Sequence, residues 1–307
     1  PDSPASCTPA GRGKVRADST PARGSAFSTG SRDALPGFTH ASHIFRTSFT
    51  RRAPISCLGA ATRRGEKTVR SDFLLRHLGA AAAFAVLLLA LELTNIDSAV
   101  SSWFFDAATR TFPLRHNSML EVLGHQWARG LVIVAACSVV VMFLLAFMLP
   151  LLSPYRRLLL FLALALVLAP LTVKLLRTSS TQYCPWRLQE FGGFAPHLSL
   201  FEAAPPRLPP GHCFPGSHAS AGFALLAFYF AGLHLGNRRL AHAGLWGGIA
   251  AGTGFGIVRV AQGANFLSHN LWSALVCWLV ILALYVVILG VPGEHGLDDG
   301  PRQGSFP

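Results

Sequence analysis

The run Gly130–Leu152, GLVIVAACSVVVMFLLAFMLPLL, contains no charged side chain. A helix needs roughly 20 apolar residues to cross the hydrocarbon core of a bilayer, so this block is long enough. Five others resemble it: Leu78–Ile96, broken only by Glu92; Leu158–Val173; Ala219–Gly236, uncharged apart from His234; Ala243–Val258; and Leu271–Val291. Backbone polar groups cannot be left unpaired in lipid, so such blocks are expected to be helices. The expected fold is all-α: a polytopic membrane protein with six transmembrane helices in a bundle. The competing reading, buried helices of a large soluble protein, does not explain why the charges crowd between uncharged runs.

Composition agrees. The chain is 51% hydrophobic and 13% charged, with a mean hydropathy of +0.43, too apolar for an ordinary soluble domain. Its formal charge of +12 comes largely from the first 76 residues and from the turns Arg156-Arg157 and Arg238-Arg239. Basic residues favour the cytoplasmic side, which orients the bundle. It puts 97–129, 177–217 and 260–270 on the outer face. The same bias accounts for the charge without nucleic acid, and no aromatic-basic interleaving supports that partner.

Residues 1–70 are rich in Ser, Ala, Gly, Pro and Arg and show no sustained period. They are expected to be a disordered or non-native extension, a transit peptide being the other reading. Residues 71–292 form the membrane domain and 293–307 a cytoplasmic tail.

Of the six cysteines, Cys137 and Cys277 fall within spans and read as small hydrophobes. Cys184 and Cys213 stand 29 positions apart in an outer, Pro-rich loop. A disulfide there would stabilise by about 3 kcal/mol on the loop-entropy estimate. Two free thiols is the alternative.

Chemistry gathers on the outer face. Arg177 is followed by Cys184-Pro185, Pro215-Gly216-Ser217-His218 opens a span, and RVAQGANFLSH covers Arg259–His269. A phosphate monoester needs fixed cations, N–H donors, a general acid and a nucleophile. Gly216 and Ser217 can turn backbone N–H groups toward an anion at a helix start, and His218 can donate a proton. Ser217 can equally be a helix cap, and Arg259 can simply snorkel. Asn265 and His269, four residues apart, are expected to share one helix face.

With these residues the chain resembles the type 2 phosphatidic acid phosphatase superfamily, related to the vanadium haloperoxidases. Its motifs are Lys-x6-Arg-Pro, Pro-Ser-Gly-His and Ser-Arg-x5-His-x3-Asp. The resemblance spans about residues 75–291. Cys184-Pro185-Trp186, CFPGSHASAGFAL from Cys213 and GANFLSHNLWSA from Gly263 resemble the bacterial membrane-bound branch with Cys-Pro-Trp in the first motif. It implies Arg177 as phosphate clamp, with Lys174 one turn earlier able to substitute, His218 as general acid and Arg259 as a phosphate ligand. Gly216-Ser217 reverses the usual Ser-Gly order, and Val258 replaces a Ser. Cys184 replaces a cation unless Arg187 reaches in.

The gravest departure is Asn265, which stands where the family has its nucleophilic His, with His269 in place of the orienting Asp. A carboxamide cannot form a phosphohistidine. Either His269 attacks, or water attacks directly, or turnover is lost. The resemblance implies a metal-independent, cofactor-free hydrolase of lipid phosphate or pyrophosphate, in a bacterial inner membrane with its site facing the periplasm. The alternatives are a pseudoenzyme that binds anionic lipid headgroups and, more remotely, a small transporter, for which no span carries a buried ionic pair.

Overall fold

The computed structural model describes residues 55–122, 128–200, 202–203 and 205–291. The chain divides into two units, Pro1–Gly65 and Glu66–Pro307, and the architecture below is that of the second. Its helices are α1 (Ile55–Glu92, which starts in the first unit), α2 (Ile96–Ser102), α3 (Ser118–Glu121), α4 (Ala128–Leu145), α5 (Arg156–Thr178), α6 (Ser217–Phe223), α7 (Ala227–His234), α8 (Arg238–Ala261) and α9 (Leu267–Ile288). Among the described residues there is no strand, only the isolated bridges Asp106–Thr111 and Leu188–Ala195. The all-α expectation holds. The boundary expected at residue 70 falls inside α1, while residues 1–54 and the tail 293–307 lie outside the described residues.

Among the described residues, three helices are long and apolar enough to cross a membrane: Arg70–Glu92, Ser153–Thr178 and Leu267–Ile288. The other apolar blocks are helical but depart from simple spans. Within Gly130–Leu152 the apolar helix is short, Val132–Leu145, and the chain then turns before Pro150 and Pro154. Each proline lacks an N–H and disfavours helical backbone in the residue before it. The block Ala219–Gly236 is split by a 3₁₀ turn, Ala224–Leu226, between α6 and α7. In α8, glycines dilute the hydropathy.

Those glycines are what allow α8 to pack. Gly244, Gly248, Gly252 and Gly256 recur every fourth residue and are all buried. A Cβ on Gly222 of α6 would strike the backbone of Gly252, one on Gly252 would strike the Phe223 ring, and one on Gly244 the backbone of Tyr229. Small residues let helices approach closely where lipid offers no hydrophobic drive to associate. Asn237 starts α8, its side chain accepting from Leu240 N at 3.1 Å.

The core lies between α5, α6, α7 and α9. Phe161, Val173, Phe230, Ile281 and Tyr285 are fully buried there, and the Phe161 and Tyr285 rings meet edge-on at 5.8 Å. A second, smaller core sits among the connecting segments. Phe112, Tyr183, Leu188, Phe191 and Phe266 form it, with Phe105 edge-on to Phe191 at 5.2 Å. Arg115 stacks over the Trp186 ring at 4.0 Å, and Trp186 N donates to Gly263 O at 3.1 Å. These contacts tie the 93–117 and 180–213 segments to the loop between α8 and α9.

Candidate functional site

The site residues meet where α5 and α8 end and α6 and α9 begin. Arg177, in the last turn of α5, donates from Nε to the carbonyl of His212 at 2.8 Å and from a terminal nitrogen to Ser217 Oγ at 2.9 Å. Gly216 N donates to His269 O at 2.9 Å, and Ser273 Oγ donates to Gly216 O at 2.9 Å. The start of α6 is thereby fixed to α9.

A cavity of about 740 Å³ lies between α4, α5, α6 and α8. Lys174, Arg177, Thr178, His212, Ser217 and His218 line its polar part, and α4, α5 and α8 supply apolar walls that include Phe255. Lys174 and Arg177 therefore both face it, one helical turn apart. Ser217 is the first residue of α6 and Gly216 the N-cap position, so the Ser217 hydroxyl receives the Arg177 guanidinium instead of capping the helix.

The third island is arranged differently from its sequence expectation. The helix α9 starts at Leu267, with Phe266 at the cap, so Asn265 precedes the helix and does not share a turn with His269. The chain leaves α8 through a tight turn in which Ala264 N and Asn265 N both donate to Arg259 O, at 2.8 and 3.3 Å. Gly263 sits there with φ +65, a conformation that side chains rarely adopt. The Asn265 side chain is fully buried. Its Oδ1 lies 3.5 Å from Cys213 Sγ, and a Cβ on Gly216 would stand 3.3 Å from its Nδ2.

His269 is 3% exposed and does not line the large cavity. Its Nε2 donates to Gln182 Oε1 at 3.0 Å, and it borders a separate space of about 10 Å³ with Glu92, Asp97, Gln182 and His197. Asp97 reaches the same place, its Oδ1 accepting from Ser268 N at 2.9 Å in the first turn of α9. Burial pushes the Asp97 carboxyl above its usual range, opposed by that hydrogen bond. Arg259 donates to Gln262 Oε1 at 2.8 Å and is not among the lining residues of the large cavity. Gly216 N, expected to face an anion, is turned to His269 O instead. Arg187 lies in a 3₁₀ turn away from the cavity lining, leaving the position of Cys184 without a replacement cation there. Cys184 and Cys213 are joined by a disulfide, Cα atoms 5.3 Å apart, while Cys137 and Cys277 are free.

Residues 158–290 match the model of the PAP2 superfamily. Over that segment the chain is similar to the PAP2 superfamily. The PAP2 segment contains every candidate residue from Lys174 to His269, and it begins at α5, leaving α1 to α4 outside the match. No curated protein and no solved structure matches the chain.

Sequence reasoning missed three polar partners in this candidate site. Gln182 holds His269, Gln262 holds Arg259, and His212 brings a second imidazole to the cavity beside His218. Only Gln262 fell within a stretch that the sequence singled out, RVAQGANFLSH.

Proposed function

We propose that this chain is a six-helix integral membrane phosphatase. It hydrolyses a lipid phosphate or pyrophosphate monoester at the outer leaflet of a bacterial inner membrane, its site facing the periplasm, without metal or cofactor. The observation that carries this reading is the mixed lining of the large cavity: two cations, two hydroxyls and two imidazoles on one part, hydrocarbon walls on the rest. Lys174 and Arg177 would neutralise the dianionic headgroup, with Arg177 positioned by Ser217 and the His212 carbonyl. The apolar walls suit the first part of a lipid chain. His218, on the first turn of α6, would protonate the leaving alkoxide.

Asn265 cannot be phosphorylated as an imidazole can, and His269 faces Gln182 rather than the cavity. The step left to this site is direct attack by water. The experiment is release of inorganic phosphate from phosphatidic acid in vesicles by the purified full chain, and measurable release that Arg177→Ala abolishes supports the reading. Saturable vanadate binding with no release would instead support a headgroup-binding pseudoenzyme, the reading that the sealed Asn265 favours.

Orientation has its own expected outcome. Glu190→Cys should react with an impermeant maleimide on intact cells, and Arg238→Cys only after permeabilisation, since both positions are exposed in the fold. Labelling of position 238 from outside would reverse the topology and remove the outer-leaflet assignment.

A further inference from the structure

Direct attack by water needs a base, and the family motifs name none for a chain without its nucleophile. Among the described residues, the titratable groups lining the cavity are Cys137, Lys174, Arg177, His212 and His218. The two cations are the headgroup clamp, and Cys137 lies on α4 among apolar residues. His218 is the acid, and His269 is sealed behind α6 and held by Gln182. One imidazole is left.

We propose that His212 is a further catalytic residue, the general base that deprotonates the attacking water. This rests on the phosphatase reading above. Two features place it. Its carbonyl accepts from Arg177 Nε at 2.8 Å, so its backbone is anchored to the guanidinium that grips the phosphate. Its φ of 50° is a conformation few non-glycine residues adopt, and such outliers recur at functional sites. The side chain is exposed to solvent at a position lining the cavity, where a water is at hand.

The step balances without a co-reactant. The water oxygen bonds to phosphorus while its proton passes to the His212 imidazole. The phosphorus–oxygen bond to the lipid breaks, its electron pair staying on the lipid oxygen, which takes a proton from His218. Inorganic phosphate and a lipid alcohol leave, and the His212 imidazolium returns its proton to solvent.

The test uses the full chain in phosphatidic acid vesicles. His212→Asn keeps a residue that tolerates positive φ and keeps the carbonyl for Arg177, but has no basic nitrogen. Release should fall at least about 100-fold, the lower range for losing a general base, with vanadate affinity within about twofold of the parent. The rise of rate with pH in the parent should disappear. His212→Gly should regain activity on addition of imidazole. A His212→Asn protein that keeps the parental rate and pH profile would overturn the assignment and leave the phosphatase reading standing. Loss of vanadate binding in both variants would also overturn it, by showing a structural role. A parent that binds vanadate but releases no phosphate would remove the phosphatase reading itself.

Discussion

Asn265→His should raise phosphate release at least about 100-fold, because it restores an imidazole where a covalent phosphoenzyme can form. The geometry also sets what limits the gain. The Asn265 side chain is fully buried beside the Cys213 sulfur and Gly216, and a larger ring must turn toward the cavity to attack. Its orienting partner would still be wrong, since His269 donates to Gln182 and offers no carboxylate. Asn265→His combined with His269→Asp should therefore exceed the single change, and His269→Asp alone should gain nothing. That pattern is coupling between two residues that act as one unit. A phosphoenzyme trapped by acid quench should appear only in proteins carrying Asn265→His. If neither protein exceeds the parent and no phosphoenzyme forms, position 265 is not where an attacking group can reach the phosphate.

Arg177→Ala should have the largest effect on binding. Arg177 bridges two walls of the cavity, through the His212 carbonyl and the Ser217 hydroxyl. Its loss removes a charge-assisted contact to the headgroup and two contacts that shape the site. Charge-assisted hydrogen bonds contribute about 1.5–3 kcal/mol, so vanadate affinity should drop by about 10- to 150-fold. Arg259→Ala is the comparison. Arg259 pairs with Gln262 and does not line the cavity, so its removal should cost less than that of Arg177. Equal losses at the two positions would mean that the headgroup lies nearer the α8–α9 turn than the cavity places it.

The sequence alone determined what depends on local pattern. Uncharged runs of membrane length require helices, because lipid leaves backbone groups no other partner, and α1, α5 and α9 follow their blocks closely. The spacing of Arg177, His218 and Arg259 at the ends of those runs marked candidate residues, of which Arg177 and His218 line the cavity and Arg259 does not. The identity of Asn265 as a residue unable to attack was also legible, being a matter of chemistry rather than position. Tertiary structure decided the rest. That α9 starts after Asn265 depends on the Gly263 turn, whose two N–H groups bond to Arg259 O. Which imidazoles share a cavity was hidden because His212 and His269 are brought to their places by contacts 35 and 87 residues distant in sequence, with Arg177 and with Gln182. Periodicity reports which face of a helix is apolar, but not which loop atoms meet a helix end, and that meeting separates the imidazole left facing the cavity from the one sealed away from it.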